Sequence, residues 1–162
     1  MKKYVINFEA GKRLEPQNAK NLMGICGLYF IFLKGFEIQY PFGKSRLIYI
    51  GMSEKKTNSI GKRLMQHYTG ESGNIGLFNY KKLDDLCFTY INFELLKNLW
   101  PYKIEDLESY FILDFLKNYG AYPICNGKVS SEIVQKEINP IIEINWKFFE
   151  KQGDKNEQNK IR

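Results

Sequence analysis

Arg63 and His67 stand four residues apart in "SIGKRLMQHYTG", residues 59–70, and His67 is the single histidine of the chain. On a helix that spacing projects both side chains from one face. A guanidinium there offers a planar, permanently charged donor to a phosphate or carboxylate. An imidazole beside it can take, give or orient a proton near neutral pH. The same spacing also describes an ordinary solvated helix face. Glu108 is harder to explain away. Helical spacing sets it between Ile104 and Ile112, with Phe111 and Phe115 on the same side. A carboxylate in an apolar stripe needs an ion pair, hydrogen bonds or a metal ion, unless it snorkels to a helix edge. Glu105, Asp106 and Asp114 lie nearer the flanks and need no such account. Tyr29 and Tyr49 sit in apolar segments, where tyrosine is ordinarily a core residue with its hydroxyl satisfied. Asn126, ahead of Gly127, reads as turn chemistry.

Other chemistries fail on residue types. "NSIGKR" lacks the first glycine of a phosphate loop and carries Arg63 where the hydroxyl residue belongs. One histidine cannot build a histidine-rich metal site, and no Ser-His-Asp arrangement is discernible.

The elements that must carry these residues follow from patterning. "KKYVINFE" reads as a short strand and "GKRLEPQNAKNL" as a polar connection with a turn. "GICGLYFIFLK" is a near-continuous apolar run expected as a buried strand. "GFEIQYPFGKS" reads as a loop, and "RLIYIGMS" as a second strand ended by Gly51, antiparallel to the first. Asn58 and Ser59 can cap a helix on which Ile60, Leu64 and Tyr68 recur, with Gly70 as its stop. A glycine-rich loop then runs into a short helix, and "LCFTYINFELL" forms a third strand. "KIEDLESYFILDFLKNYG" is the clearest helix, stopped at Gly120. A final helix is expected from about Ser130 to Glu150, interrupted near Pro140. A polar, frayed tail follows it.

Composition bounds the function classes. The 162 residues include 24 Lys and Arg against 18 Asp and Glu, a net charge of +6, which favours an anionic partner such as nucleic acid. Hydrophobic residues at 44% and aromatics at 15% exclude a disordered chain. Cys26, Cys87 and Cys125 are odd in number and widely spaced, which fits buried thiols in a reducing compartment rather than a disulfide framework. No apolar run approaches the ~20 residues of a membrane span. Asn7, Glu9 and Lys12 interrupt any signal-peptide core, so a soluble cytoplasmic protein is expected.

The ordered set is more specific than its parts. "GLY" at 27–29, "YIG" at 49–51, "GKRLMQHY" and then "LESYFILDFLKNYGAYPICN" resemble the GIY-YIG nuclease family over residues 26–127. The resemblance implies a small α/β layered fold, a three-stranded antiparallel sheet flanked by helices. It divides one domain into an N-terminal extension (1–25), the nuclease core (26–127) and a C-terminal helix with a polar tail (128–162). It implies hydrolysis of DNA phosphodiester bonds with one divalent cation, Mg²⁺ or Mn²⁺. Tyr29 and Tyr49 match the tyrosines of the two tripeptides, Arg63 the phosphate-binding arginine and His67 the histidine after it. Glu108 matches the metal-ligand glutamate and Asn126 the asparagine closing the motif.

In that chemistry the cation and Arg63 stabilise charge on the phosphate, and a tyrosine takes the proton of the attacking water. Tyr29 is favoured for this role, with His67 relaying or orienting the proton; Tyr49 and His67 stay open as alternatives. Lys62, Tyr68, Lys44, Lys81 and Lys82 are the expected contacts to double-stranded DNA. Three departures stand out. The connection from Phe30 to Ile48 is long for a hairpin. The interval from Glu108 to Asn126 is long enough to leave Glu105 as an alternative match. Leu28 replaces the isoleucine of the first tripeptide. The competing expectations are a binding module of the same fold without catalysis and a small-molecule or protein-binding domain with a coincidental motif. With only about thirty-five residues after Asn126, a nuclease of this kind is expected to read DNA through its own loops, as restriction-type members do, or through a partner.

Overall fold

A computed structural model describes residues 3–127 and 141–151. Its elements in chain order are β1 (Lys3–Ile6), β2 (Lys12–Arg13), α1 (Pro16–Lys20), β3 (Gly27–Leu33), β4 (Ile38–Tyr40), β5 (Gly43–Ser45), β6 (Leu47–Ser53), α2 (Ile60–Thr69), α3 (Ile75–Leu83), β7 (Leu86–Asn92), α4 (Ile104–Tyr119) and β8 (Ile141–Ile144). The main sheet is antiparallel throughout, in the order β2-β7-β3-β6. It therefore has four strands where three were expected. The extra one is a two-residue edge within the N-terminal connection, and Leu14 N–H donates to Leu86 O just beyond it.

The apolar run of β3 follows from its central place: all seven residues are buried, and the two faces pack on different layers. Leu28, Phe30 and Phe32 meet α4, Trp146 and Phe149, whereas Tyr29, Ile31 and Leu33 meet α1, α2 and α3. β6 forms the open edge, and its register with β3 shifts between Ile31 and Phe32. Ile31 pairs with Tyr49 and Phe32 with Leu47, so Ile48 is the extra residue of a bulge. Ile48 and Tyr49, adjacent in sequence, thus both pack toward the α2 layer.

α2 forms where the caps predict. Ser59 Oγ accepts the Lys62 N–H, and Gly70 ends the helix at φ 86°. Two further amides at its start donate to the segment that follows α1, Ile60 N to Ile25 O and Gly61 N to Leu22 O. A Cβ on Gly61 would lie 2.6 Å from Ala19 O, so this glycine sets how closely the two helices approach.

Four expectations are corrected. The long connection between β3 and β6 holds a hairpin, β4 with β5, seated against Tyr119 at the end of α4. Gly51 lies within β6 rather than ending it. Of the final helix expected from about Ser130 to Glu150, residues 130–140 lie outside the described residues. The described part, instead of helix, is a strand at 141–144 parallel to β1, followed by a 3₁₀ turn at Trp146–Phe149. The alternation of "IIEI", exposed and buried by turns, is a period of two that outweighs helix propensity once β1 offers an edge. Pro140 and the polar tail lie outside the described residues. Asp114, expected at a solvated flank, is half-buried and accepts the Trp146 indole N–H at 2.7 Å; burial raises its pKa.

Candidate active site

β6, the edge strand of the sheet, packs against α4 on one face and α2 on the other. Residues whose elements belong to different layers therefore come within reach at this edge. Tyr29 projects from β3 and Tyr49 from β6 on the α2 side, their ring centroids 6.0 Å apart. The His67 ring lies 5.6 Å from Tyr29 and 5.1 Å from Tyr49. Its Nε2 is 2.9 Å from the Tyr29 hydroxyl, and its Nδ1 is 2.8 Å from Ser72 Oγ. Arg63, one helical turn before His67, bonds Gln66 Oε1 through one terminal nitrogen, and its charge bears on both phenols. Glu108 approaches from α4, and its negative charge acts on Tyr49.

Exposure sorts these groups by depth. Tyr29 and His67 are 0% and 2% exposed, whereas Tyr49, Arg63 and Glu108 are half-buried. Glu108 thus lies at the rim of the apolar face of α4, and Ser109 takes the buried position beside it. Tyr49 is the partly exposed tyrosine of the two; Tyr29, favoured from sequence as the base, is fully enclosed. Burial, and then Tyr49, raises the Tyr29 pKa well above that of a free phenol, and Arg63 offsets part of this. Burial followed by Glu108 raises that of Tyr49, again against Arg63. Both phenols are therefore protonated at neutral pH unless further positive charge arrives.

Gly51 explains how Tyr29 fits. The two residues pair across β3 and β6, and a Cβ on Gly51 would fall 2.3 Å from Tyr29 Cζ and 2.5 Å from its oxygen. The ring lies directly over the bare backbone.

Asn126 reaches back to β6. Its Oδ1 accepts the Ile50 N–H at 3.0 Å and its Nδ2 donates to Ile50 O at 2.9 Å. The side chain thereby takes the place of a neighbouring strand on the open edge of β6, while Cys125 N donates to Ile48 O. Asn126 holds the strand that carries Tyr49, using one acceptor site and one N–H of its amide and keeping one of each.

Among the expected DNA contacts, Lys62 is exposed beside Arg63 and donates to Thr57 O. Lys81 turns inward, donating to Tyr68 O at 2.7 Å with its ammonium 3.7 Å from the Tyr68 ring centre. Lys82 lies over Phe78. Lys44 is carried on the β4–β5 hairpin by Tyr119, eleven residues and about 16 Å along α4 from Glu108. Only Lys62 is thus drawn to the rim of the site by its own element. Ser72, which sequence reasoning passed over, belongs to the cluster; its signal was only a hydroxyl in a glycine-rich turn. The three cysteines are free and half-buried, and burial pushes Cys125 up to about 12.

Burial, reinforced by Arg63, lowers the His67 pKa to about 4. The neutral imidazole, facing Tyr29, Tyr49 and Arg63, is the form the fold accepts. Its folded pKa lies below the unfolded 6.5, so this stability is full above about pH 6.5, drains as pH falls, and is gone near pH 4. The loss is about 3 kcal/mol. Urea titrations from pH 7 to 5, above most carboxylate titrations, will show declining stability in the parent chain and a flatter profile for His67→Gln. Equal slopes would exclude His67 as the cause.

Comparison with family models, curated proteins and solved structures gives no match for this chain. Among the described residues no helix is long and apolar enough to cross a membrane.

Proposed function

We propose that the chain is a metal-dependent endonuclease that hydrolyses DNA phosphodiester bonds at a GIY-YIG active site. The observation that carries this reading is the convergence of Tyr29, Tyr49, Arg63, His67 and Glu108 at one sheet edge. They come from two strands and two helices and span eighty residues of sequence. A chance pair of tripeptides gives no reason for a distant helical glutamate to act on the second tyrosine.

The donor set fits a hard, hydrated cation. Mg²⁺ is commonly held by one or two carboxylates and keeps several waters, and Glu108 is a half-buried carboxylate at the rim, beside a phenol. When bound there, the ion supplies Lewis-acid stabilisation of the phosphate and of the leaving oxygen. Arg63 donates to the same phosphate, adding fixed positive charge where negative charge builds. Tyr49, which is partly exposed, takes the proton of the attacking water. Burial and Glu108 raise its pKa, Arg63 offsets part of that rise, and a cation on Glu108 would offset more. Tyr29 and His67 lie behind it as a buried relay. Lys62 bears on the neighbouring backbone phosphate. The net charge of +6 suits a polyanionic substrate.

Purified protein is expected to nick or linearise supercoiled plasmid with Mg²⁺ or Mn²⁺ and to stop when EDTA removes the ion. DNA binding without cleavage under every metal condition would favour the module that keeps the fold without catalysis. Neither binding nor cleavage would end the nucleic-acid reading.

A further inference from the structure

The hydrogen bonds behind the phenols run in one line. Tyr29 meets His67 Nε2 at 2.9 Å, and His67 Nδ1 meets Ser72 Oγ at 2.8 Å. Ser72 stands in the turn between α2 and α3, with Gly70 and Gly73 both at positive φ, 86° and 74°. The turn is tied down on several sides. Ser72 N donates to Gln66 O at 3.1 Å, and Asn74 N donates to Ser72 Oγ at 3.3 Å. The Asn74 side chain accepts from Leu77 N and donates to Cys125 O. The hydroxyl is therefore delivered to the imidazole by a braced turn. Half-buried, it also links the enclosed histidine to solvent.

The direction of the line follows from Arg63. A guanidinium only donates, and its charge bears on the Tyr29 oxygen. That oxygen is hydrogen-bonded to Arg63 and also to Tyr49. With its lone pairs accepting from the guanidinium and from the Tyr49 hydroxyl, its own proton is left for the facing Nε2. A neutral imidazole with Nε2 as acceptor carries its proton on Nδ1, where the facing group must accept it. Ser72 Oγ can accept from both Asn74 N–H and His67 Nδ1–H.

We infer that Ser72 is a positioning residue: by accepting the Nδ1–H of His67 it holds the imidazole in the tautomer whose Nε2 accepts the Tyr29 proton. This rests on the nuclease reading for its consequence, though not for its geometry. The proton that Tyr49 takes from water displaces the Tyr49 proton to Tyr29 and the Tyr29 proton to Nε2. The Nδ1 proton then passes to Ser72 Oγ, whose own proton leaves to solvent. Each group ends with as many protons as it began with, and no imidazolium has to persist in the buried site. The imidazole ends as the Nε2–H tautomer, and exchange through Ser72 and solvent returns it to Nδ1–H before the next turnover.

A single histidine makes the test direct. In full-length protein labelled with ¹⁵N-histidine, two-bond proton–nitrogen correlation distinguishes the two tautomers without assignment. The parent chain is expected in the Nδ1–H form, Ser72→Ala in the Nε2–H form or in exchange between the two, and Ser72→Thr, which keeps the hydroxyl, as the parent. In plasmid cleavage, Ser72→Ala is expected to lower kcat about tenfold with KM unchanged, less than the ~10²-fold of losing an acid–base group itself. Ser72→Thr is expected to restore it. An Nε2–H parent, or a tautomer unmoved by Ser72→Ala, overturns the inference. So does a moved tautomer with undiminished kcat. A parent that cuts no DNA defeats the nuclease reading alone, and the nitrogen spectra still decide what Ser72 does.

Discussion

Glu108→Ala is expected to lower Mg²⁺-dependent plasmid cleavage by roughly 10³-fold or more, because it removes the carboxylate through which several kcal/mol of phosphate stabilisation is applied. Arg63→Ala is expected to lose roughly 10²–10³-fold, the usual cost of deleting one preorganised donor to developing charge. The two variants separate by binding. Without Glu108 the site keeps Arg63 and loses a negative charge, so DNA affinity at low salt will hold or rise. Without Arg63 it will fall. Both residues are half-buried, and melting temperatures within a few degrees of the parent will show that the fold survives. Arg63→Lys will recover only part of the activity, since an ammonium lacks the planar fork. Undiminished cleavage by Glu108→Ala would remove the metal-ligand assignment, and Glu105 would be the carboxylate to test next.

Gly51→Ala is the second large expected effect, and it needs no new charge. The added methyl would overlap the Tyr29 ring, 2.3 Å from Cζ. Tyr29 is fully enclosed on the α2 side with Ile31, Leu64 and Leu77, so the ring has no empty space to enter. Overpacking of this kind costs about 1–3 kcal/mol. The ring must move off Gly51, and that disturbs its 2.9 Å contact with His67. Displacement of about 1 Å in a catalytic arrangement costs on the order of 10²-fold in rate. The variant should fold with a lowered melting temperature and cleave at least that much more slowly. Tyr29→Phe will separate the two causes: it removes the hydroxyl without forcing the ring to move. Its loss of activity should approach that of Gly51→Ala with a smaller loss of stability. A Gly51→Ala protein as active as the parent would mean that Tyr29 need not stand where it does.

The local rules of the chain were strong where one helix or strand could satisfy itself. Ser59, Gly70 and the four-residue spacing of Ile60 and Leu64 define α2, and they carry Arg63 and His67 on one side whatever the rest of the protein does. The stripe from Ile104 to Phe115 defines α4 and its stop at Gly120. It drew attention to Glu108, although the carboxylate proved to sit at the rim of that stripe. The apolar run of β3 announced a strand buried on both faces. These features depend on contacts within a few residues, where periodicity and capping are sufficient.

Where the elements depend on one another, the residues alone said less. The sequence at 141–144 suggests helix because a four-residue alternation means little until β1, far away in the chain, offers a free edge. Asn126 looked like a turn residue because its partner, Ile50, lies 76 positions away. The bulge at Ile48, which sets Tyr49 toward His67, exists only as a mismatch between two paired strands.

The types of chemical group and the helices that carry them were thus determined by the sequence itself. Which phenol meets water, which asparagine is spent on backbone and which serine orients the histidine were decided by tertiary structure. Depth and hydrogen-bond partnership are properties of assembled layers. Tyr29 and Tyr49 are alike as residues, and they differ because one lies on the central strand beneath α2 and the other on the open edge where α2 and α4 meet.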